Sequence, residues 1–276
     1  MVVPEHDADF PLTSTIAARF VHLGETGSTN TALVELAGDG APDGTVLVAD
    51  RQTAGRGRLG REWVAPPGSS LAASILVRPA LRSGRVLPDA AWGWFPLLGG
   101  VALRRILAAL LPERDILLKW PNDVQIRGLK VSGMLAELVV RDGAPDAVVL
   151  GMGLNLTIGR EHLPTPTSTS LALEGLAGTA AELADLVLSR VVAEVRALVS
   201  DLVAADGDPA VADLVGVVSA ECDTLGRRVR VELPSGDTLL GTASALDDQG
   251  RLVVRDEETG ESVAVAAADV THLRLA

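Results

Sequence analysis

Short apolar runs separated by turns make up most of this 276-residue chain, and their lengths predict alternating strands and helices. Runs of about four to eight apolar residues between turn signals are typical of buried strands, whereas longer periodic runs are typical of helices. The pattern predicts strands over 21–24, 45–50, 70–77, 116–119, 124–126, 130–140 and 147–156. It predicts helices over 13–20, 31–37, 92–111 and 179–203, and a long surface loop over 157–170.

The pattern of apolar and polar residues changes near Cys222, where shorter apolar runs alternate with turns. Strands at this spacing predict a small β-barrel or sandwich of about 50 residues. We therefore expect a larger domain over 1–220 and a smaller β domain over 221–276. The predicted fold class is α+β (α/β), a mixed β-sheet with helices followed by a small barrel that resembles an SH3-like domain.

The composition supplies a large aliphatic core, since 47% of the residues are hydrophobic whereas only 3% are aromatic and none is tyrosine. No tyrosine can therefore act as an acid or a base. The formal net charge of -12 argues against general nucleic-acid binding, which favours a basic surface. The four histidines lack metal-ligand spacing, and we interpret them as structural or surface residues.

Cysteine usage and the absence of targeting signals predict a cytoplasmic protein. Cys222 is the single cysteine, which excludes an intramolecular disulfide and fits a reducing compartment. The N-terminal segment has neither the basic start nor the apolar stretch of a signal peptide. No uninterrupted apolar run reaches about 18 residues, so no membrane span is expected.

Residues 55–63 (GRGRLGREW) concentrate three arginines, three glycines and one tryptophan on one loop of an acidic protein. Glycine lets the backbone approach a ligand closely. Arginine offers a planar fork that matches phosphate and carboxylate groups. The loop therefore predicts a binding site for a small anion, with a solvated surface loop as the alternative.

Three charged or glycine-bearing segments follow predicted strands, and loops at strand ends often carry sites. They are 52–63, then 119–123 (KWPND) with Lys130 and Gly133, then 151–155 (GMGLN). In this order, GRGRLGREW, KWPND, KxxGMLxE and GxGxN resemble the biotin protein ligase family. The preceding Ser28-Thr29-Asn30 is similar to that family's early biotin-binding signature. The resemblance covers about residues 21–160 by motif, and the small β domain extends it loosely to the end.

The resemblance implies an ATP-dependent ligase that activates biotin as biotinyl-5'-AMP. The enzyme would transfer biotin to a lysine of a biotin carboxyl carrier protein, a domain of acetyl-CoA carboxylase or a related carboxylase. Catalytic roles are implied for Lys130, which bridges the biotin carboxylate and the α-phosphate, for Arg58, and for Asp123. Substrate contacts are implied for Ser28, Thr29, Asn30, Gln52, Gly55, Arg56, Gly57, Arg58, Arg61, Trp63, Asn122, Lys130, Gly133, Gly151, Gly153 and Asn155.

Within this set, the resemblance implies that different residues contact different parts of the ligand. Ser28, Thr29 and Gln52 are expected at the ureido ring of biotin, whose donors and acceptor need partners when buried. Trp63 is expected near adenine and Asn155 at the adenine edge. Gly151 and Gly153 are expected to let the ligand approach the strand closely. Arg56 and Arg58 are expected to wrap the adenylate, and Arg61 to contact the phosphates. Asn122 and Asp123 are expected near the phosphates, the metal or the acceptor lysine. ATP implies Mg²⁺ bound through its phosphates, with no dedicated metal cage visible in the sequence.

Two alternatives stay open at this point. A lipoate or octanoate ligase or transferase shares the superfamily, although its apolar acyl chain has no need of the Ser28, Thr29 and Gln52 set. The second alternative is a non-catalytic sensor of biotin or a nucleotide. Lys130 discriminates between the two functions, because a protein that only binds could lack this lysine. Because Ser28 leaves no room for an N-terminal winged-helix domain, a single-function ligase that binds no DNA is expected. A spare sheet edge could serve self-association or carrier docking, so the oligomeric state is left open.

Overall fold

The computed structural model describes residues 9–233, 236–266 and 269–272, the last range for its backbone alone. The helices are α1 (Pro11–Ile16), α2 (Thr29–Gly38), α3 (Asp89–Trp92), α4 (Phe95–Leu110), α5 (Ala180–Ala204) and α6 (Leu214–Glu221). The first seven strands are β1 (Arg19–Thr26), β2 (Thr45–Gln52), β3 (Ser70–Val77), β4 (Ile116–Lys119), β5 (Asp123–Ile126), β6 (Leu129–Arg141) and β7 (Ala144–Asn155). The last five are β8 (Arg228–Glu232), β9 (Thr238–Leu246), β10 (Leu252–Asp256), β11 (Ser262–Val265) and β12 (Asp269–His272).

Strands β1 to β7 form one mixed sheet in the order β1-β2-β3-β7-β6-β5-β4. β1 and β2 pair in parallel, and the other neighbours pair antiparallel. Helices cover both faces because strand residues alternate between two apolar cores. Val46 and Val48 of β2 belong to the core that contains α4 and α5, whereas Leu47 packs with Leu33 of α2 on the opposite face. The predicted mixed sheet with helices is confirmed.

The helix predicted over 13–20 is wrong at both ends. Pro11 occupies the first turn of α1, where a missing N–H removes no helical hydrogen bond. The buried Asp185 carboxylate accepts hydrogen bonds from the backbone N–H groups of Leu12 (2.9 Å) and Thr13 (2.8 Å). Phe20 belongs to β1, where it pairs with Val46. A contact with distant α5 therefore decides where α1 begins.

The single helix predicted over 92–111 is interrupted between α3 and α4 at Gly93. A Cβ at this position would lie 2.3 Å from the Gln249 carbonyl oxygen, so the close approach of the second sheet requires glycine. The combined segment Asp89–Leu110 is long and apolar enough to cross a membrane by length and composition. In this fold, Phe95, Leu98 and Leu103 of α4 are fully buried, so its apolar character serves the core.

Strands β8 to β12 form an antiparallel sheet in the order β11-β10-β9-β8-β12, so the last strand returns to pair with the first. Two indoles attach this sheet to the main body: Trp94 Nε1 donates to the Asp248 carbonyl (2.8 Å), and Trp120 Nε1 donates to the Gly250 carbonyl (2.9 Å). Burial raises the pKa of the Cys222 thiol beside this junction. The expected domain boundary after residue 220 falls at the end of α6.

Candidate active site

A hollow lies on the sheet face that α2 covers, because small residues meet there in register. Gly133 of β6 lies opposite Gly153 of β7, and Gly151 of β7 lies opposite Ser74 of β3. Residues paired across neighbouring strands point to one face, so these positions leave space above the sheet. The cavity has a volume of about 450 Å³. The predicted site residues that line it are Ser28, Thr29, Asn30, Gln52, Arg56, Gly57, Arg58, Arg61, Trp63, Asn122, Asp123, Lys130, Gly133, Gly151 and Gly153.

The start of α2 makes one end of the cavity polar. The Gln52 Oε1 atom accepts hydrogen bonds from the Thr29 backbone N–H (2.8 Å) and hydroxyl (3.1 Å). This arrangement fixes the Gln52 amide at the end of β2, with its NH₂ group left to serve a ligand. Ser28 is the N-cap residue of α2, but its side chain makes no capping hydrogen bond. The hydroxyl is thus available at the cavity wall.

Asn30 lines the cavity and is also hydrogen-bonded to the neighbouring strands. Its Nδ2 atom donates to the Leu135 carbonyl (3.1 Å) and to Glu137 Oε2 (2.8 Å). Its Oδ1 atom accepts from the buried Ser74 hydroxyl at 2.7 Å. Asn30 therefore ties α2 to β3 and β6, and Ser74 is a supporting residue that the sequence analysis missed. Its small polar side chain within an apolar strand was the available signal.

Gly151 and Gly153 line the cavity, and they also leave room for two protein side chains. A Cβ at Gly151 would lie 2.1 Å from Asn30 Oδ1, and a Cβ at Gly153 would lie 2.4 Å from Trp63 Cε2. The Trp63 indole therefore lies flat against the sheet and forms part of the cavity wall. Among the described residues, no hydrogen-bond acceptor meets the buried Trp63 Nε1.

The arginine-glycine loop folds back on itself over the cavity. The Gly57 N–H donates to the Arg61 carbonyl (2.7 Å), and the Trp63 N–H donates to the Gly55 carbonyl (2.9 Å). Gly60 has a φ of 72°, a conformation that favours glycine. These contacts hold the arginines of the loop above the hollow.

Two arginines of this loop contact residues of the cavity wall. Arg56 forms an ion pair with Glu137, with Nη2 and Oε2 2.6 Å apart. Arg58 Nη1 donates to Asn122 Oδ1 at 3.3 Å. Burial lowers the pKa of the Arg58 guanidinium, an effect that Asp123 opposes. Asn122 in turn donates to the Met134 carbonyl at 2.6 Å, so the loop rests on the KWPND turn.

The end of the cavity opposite α2 is lined by lysines and one carboxylate. Lys130 Nζ lies 2.7 Å from Asp123 Oδ1. Lys119, the last residue of β4, also lines the cavity and pairs in register with Asp123. Burial lowers the pKa of Lys119, and nearby Lys130 and Arg61 lower it further against the opposing effect of Asp123. Lys119 is the first residue of the KWPND motif, and no role was predicted for it from the sequence.

Gly55 and Asn155 lie outside the cavity lining. A Cβ at Gly55 would lie 2.5 Å from the Trp63 carbonyl oxygen, so this glycine serves the fold of the loop. Asn155 is buried, and its Nδ2 atom donates to the Thr169 carbonyl at 2.9 Å. Neither residue therefore lines the cavity directly, although Gly55 packs against Trp63, which does.

The segment expected as a surface loop over 157–170 is buried at its end. Residues 168–170 are buried, and the backbone of Lys130 pairs with this segment through the Thr167 carbonyl and the Thr169 N–H, both at 2.8 Å. The buried Glu174 carboxylate accepts the Thr169 hydroxyl (2.7 Å) and forms an ion pair with Arg127 (2.9 Å). The interpretation as a surface loop was wrong for this end, because hydrogen bonds to β6 satisfy its buried backbone.

Sequence comparisons identify two matching regions. Residues 25–155 match the family described as "Biotin/lipoate A/B protein ligase family", and residues 224–273 match the "Biotin protein ligase C terminal domain". The chain is 40% identical to biotin–[acetyl-CoA-carboxylase] ligase of Mycobacterium tuberculosis over 255 residues, covering 91% of this chain and 88% of that protein. It is 35% identical to the bifunctional ligase/repressor BirA of Escherichia coli over 133 residues, covering 48% of this chain and 39% of that protein.

The fold is similar to that of a solved structure with bound substrates. The biotin protein ligase from Aquifex aeolicus in complex with biotin and ATP superposes with a TM-score of 0.71 at 26% sequence identity, covering 93% of this chain and 100% of that chain. The match extends over both sheets of the present structure.

Proposed function

This chain belongs to the biotin protein ligase family, and from this premise we propose that its cavity activates biotin with ATP and transfers biotin to a carrier-protein lysine. The observation that carries the proposal is one cavity with polar groups from α2 and β2 at one end and two lysines and Asp123 at the other. A ureido ring fits the first end, and a carboxylate meeting a phosphate fits the second. Similarity to a relative named as a biotin ligase supports this reading over lipoate transfer.

The first half-reaction brings two anions together. The biotin carboxylate attacks the α-phosphorus of ATP, and at about 4 Å two unit charges repel by roughly 4 kcal/mol at an effective dielectric near 20. Fixed cations offset this repulsion most usefully where charge develops in the transition state. Lys130 and Arg58, both in the cavity lining, are positioned for that role.

The product of that step is a mixed anhydride that water can hydrolyse. The arginine-glycine loop rests on Asn122 and Glu137 through Arg58 and Arg56. An ordered loop over the anhydride excludes water, as catalytic lids do. We therefore assign the loop the retention of biotinyl-5'-AMP until the carrier arrives.

The second half-reaction needs a neutral acceptor amine. A free lysine has a pKa near 10.4, so the carrier lysine arrives mostly protonated. Asp123 is the carboxylate beside Lys130, and it is placed to orient or accept that proton. The amine nitrogen then bonds to the biotinyl carbonyl carbon, and the bond to the AMP oxygen breaks, which releases AMP.

The remaining partners are inferred from the chemistry. Within the described residues, no three His, Cys, Asp or Glu side chains come together as a metal site. We propose that Mg²⁺ enters with ATP, held mainly by phosphate oxygens. The acceptor is proposed to be the carrier domain of acetyl-CoA carboxylase or a related carboxylase, and the site of action the cytoplasm. Neither nucleic acid nor a membrane has a part in this proposal.

The test is a labelling reaction with purified protein, ATP, Mg²⁺, labelled biotin and a carboxylase carrier domain. We expect label on one carrier lysine, none without ATP, and a loss of about 10²–10³-fold in the Lys130→Ala variant. A carrier whose acceptor lysine is replaced by arginine controls for nonspecific labelling. Absence of label with a folded wild-type protein would overturn the proposal.

A further inference from the structure

Lys119 occupies a fixed position at the outer end of the cavity. The strand that carries it pairs with β5 on one side. On the other side, the Asp223 N–H donates to the Leu118 carbonyl (2.8 Å), and the Trp120 N–H donates to the Thr224 hydroxyl (3.0 Å). Its half-buried side chain lines the cavity. Because its backbone is hydrogen-bonded in this way, Lys119 has a defined position at the cavity wall.

The charge of Lys119 is not balanced by a bonded partner. Its register neighbour Asp123 is already in an ion pair with Lys130 at 2.7 Å. Within the part of the chain that the structure describes, the Lys119 ammonium forms no hydrogen bond or ion pair of its own. The lowered pKa of Lys119, caused first by burial, has the sign expected for a cation that lacks a bound anion. An anionic ligand would restore the balance.

The strand order indicates which part of the substrate reaches Lys119. The groups proposed to bind the ring lie on α2 and β2. Gly151, Gly153 and Gly133, which we call the glycine floor, lie on β7 and β6. Asp123 lies on β5 and Lys119 on β4. Neighbouring strands lie about 4.8 Å apart, so β4 is roughly 10 Å beyond the strand of Lys130. If the biotin ring lies at α2 and its carboxylate lies at Lys130, the phosphates of ATP beyond the α-phosphate extend toward β4.

The chemistry of the first half-reaction supplies an anion at this place. When a carboxylate oxygen of biotin bonds to the α-phosphorus, the bond from that phosphorus to the oxygen bridging to the β-phosphate breaks. The electron pair goes to the bridging oxygen, so pyrophosphate leaves with additional negative charge. A cation near the departing oxygens stabilises this transition state.

We propose that Lys119 binds the β- and γ-phosphates of ATP and stabilises the departing pyrophosphate. This inference rests on the proposed function and adds to it a leaving-group site. Lys119 therefore acts in adenylation alone, because pyrophosphate has departed before the carrier lysine attacks.

The experiment separates the two half-reactions in Lys119→Met and Lys119→Arg. Adenylation is followed as pyrophosphate release from ATP and biotin, and transfer as labelling of the carrier domain from synthetic biotinyl-5'-AMP. We expect Lys119→Met to slow adenylation by about 10²–10³-fold, the effect of removing one charge-stabilising donor. Lys119→Arg, which keeps the charge, should recover most of that rate. Transfer from biotinyl-5'-AMP should stay within about twofold of wild type in both.

Inorganic pyrophosphate provides an independent probe of the same site. Its inhibition constant against ATP should rise at least about tenfold in Lys119→Met, in line with one lost charge-assisted contact. Adenylation at the wild-type rate in this variant would overturn the proposal, and so would an equal loss of the transfer step. Failure of the proposed function itself would be recognised differently, as absence of adenylation in the wild-type protein.

Discussion

Lys130 and Asp123 form an ion pair above a glycine, with Lys130 Nζ 2.7 Å from Asp123 Oδ1. A Cβ at Gly133 would lie 3.2 Å from that Nζ and 3.4 Å from that Oδ1, so the missing side chain makes room for the pair. Both side chains line the cavity, so the carboxylate lies beside the ammonium group where the proposed reaction would take place.

Asp123→Asn should slow the transfer of biotin to the carrier more than it slows adenylation. The amide keeps the shape of the side chain but removes the negative charge that orients or accepts the acceptor proton. We expect about 10²–10³-fold slower transfer, within the range for a lost acid–base group. The measurement is carrier labelling from preformed biotinyl-5'-AMP. Transfer as fast as in wild type would show that Asp123 has no such role.

Gly153→Ala should disrupt biotin binding without unfolding the sheet. The added methyl group would lie 2.4 Å from the Trp63 ring and force it into the cavity. Such overpacking costs about 1–3 kcal/mol of folding stability, and the displaced ring narrows the cavity, so we expect a biotin affinity lowered at least about fivefold. Isothermal titration with biotin measures the effect. Gly24→Ala is the matched control, because it lies on β1 with no atom within 4 Å of the added Cβ, and its affinity should equal that of wild type.

Arg58→Gly should let biotinyl-5'-AMP escape from the site. The variant loses the contact between the loop and Asn122 and removes a half-buried cation from above the cavity. We expect the adenylate to dissociate at least about tenfold faster, corresponding to one lost charge-assisted hydrogen bond. Chromatography of the filtrate after a reaction without carrier detects the free adenylate. Retention equal to that of wild type would count against the loop as a lid.

Trp120→Phe should weaken the attachment of the second sheet. The variant removes the Nε1 donor that meets the Gly250 carbonyl at 2.9 Å and leaves that carbonyl without this partner. An unsatisfied buried group costs about 1–3 kcal/mol, to which the smaller ring adds a packing loss. Denaturant unfolding measures the change in free energy. Trp94→Phe, which removes the bond to the carbonyl of the exposed Asp248, should give a smaller loss because water can replace the lost donor.

Lys119→Met should be at least as stable as wild type at neutral pH in the absence of ligand. Because burial lowers the pKa of Lys119, the unfolded state binds its proton more tightly than the folded state does. By proton linkage, this group therefore destabilises the fold at neutral pH, and the penalty disappears as the pH rises between the folded and unfolded pKa values. Thermal melts of both proteins across alkaline pH test this. A variant that is markedly less stable at neutral pH would contradict it.

The sequence alone determined which segments form strands and where several helices begin. Ser70–Val77 is a strand with the predicted bounds, because its apolar run is local and bounded by turns. The helix after Thr179 forms with a capping box between Thr179 and Glu182, residues three positions apart. The loop around Arg58 could be selected because its composition is unusual within a short window, whereas Lys130 was selected by the family resemblance.

Tertiary structure decided which of these groups meet and what each contacts. The strand order places Lys119 and Asp123 beyond the glycine floor, a long-range arrangement that no local period encodes. The helix is interrupted at Gly93 because a loop more than 150 residues later packs on it. Asn30 accepts a hydrogen bond from the hydroxyl of Ser74, which lies on a distant strand. Local patterns report burial and backbone preference, whereas register and strand order depend on the packing of distant segments.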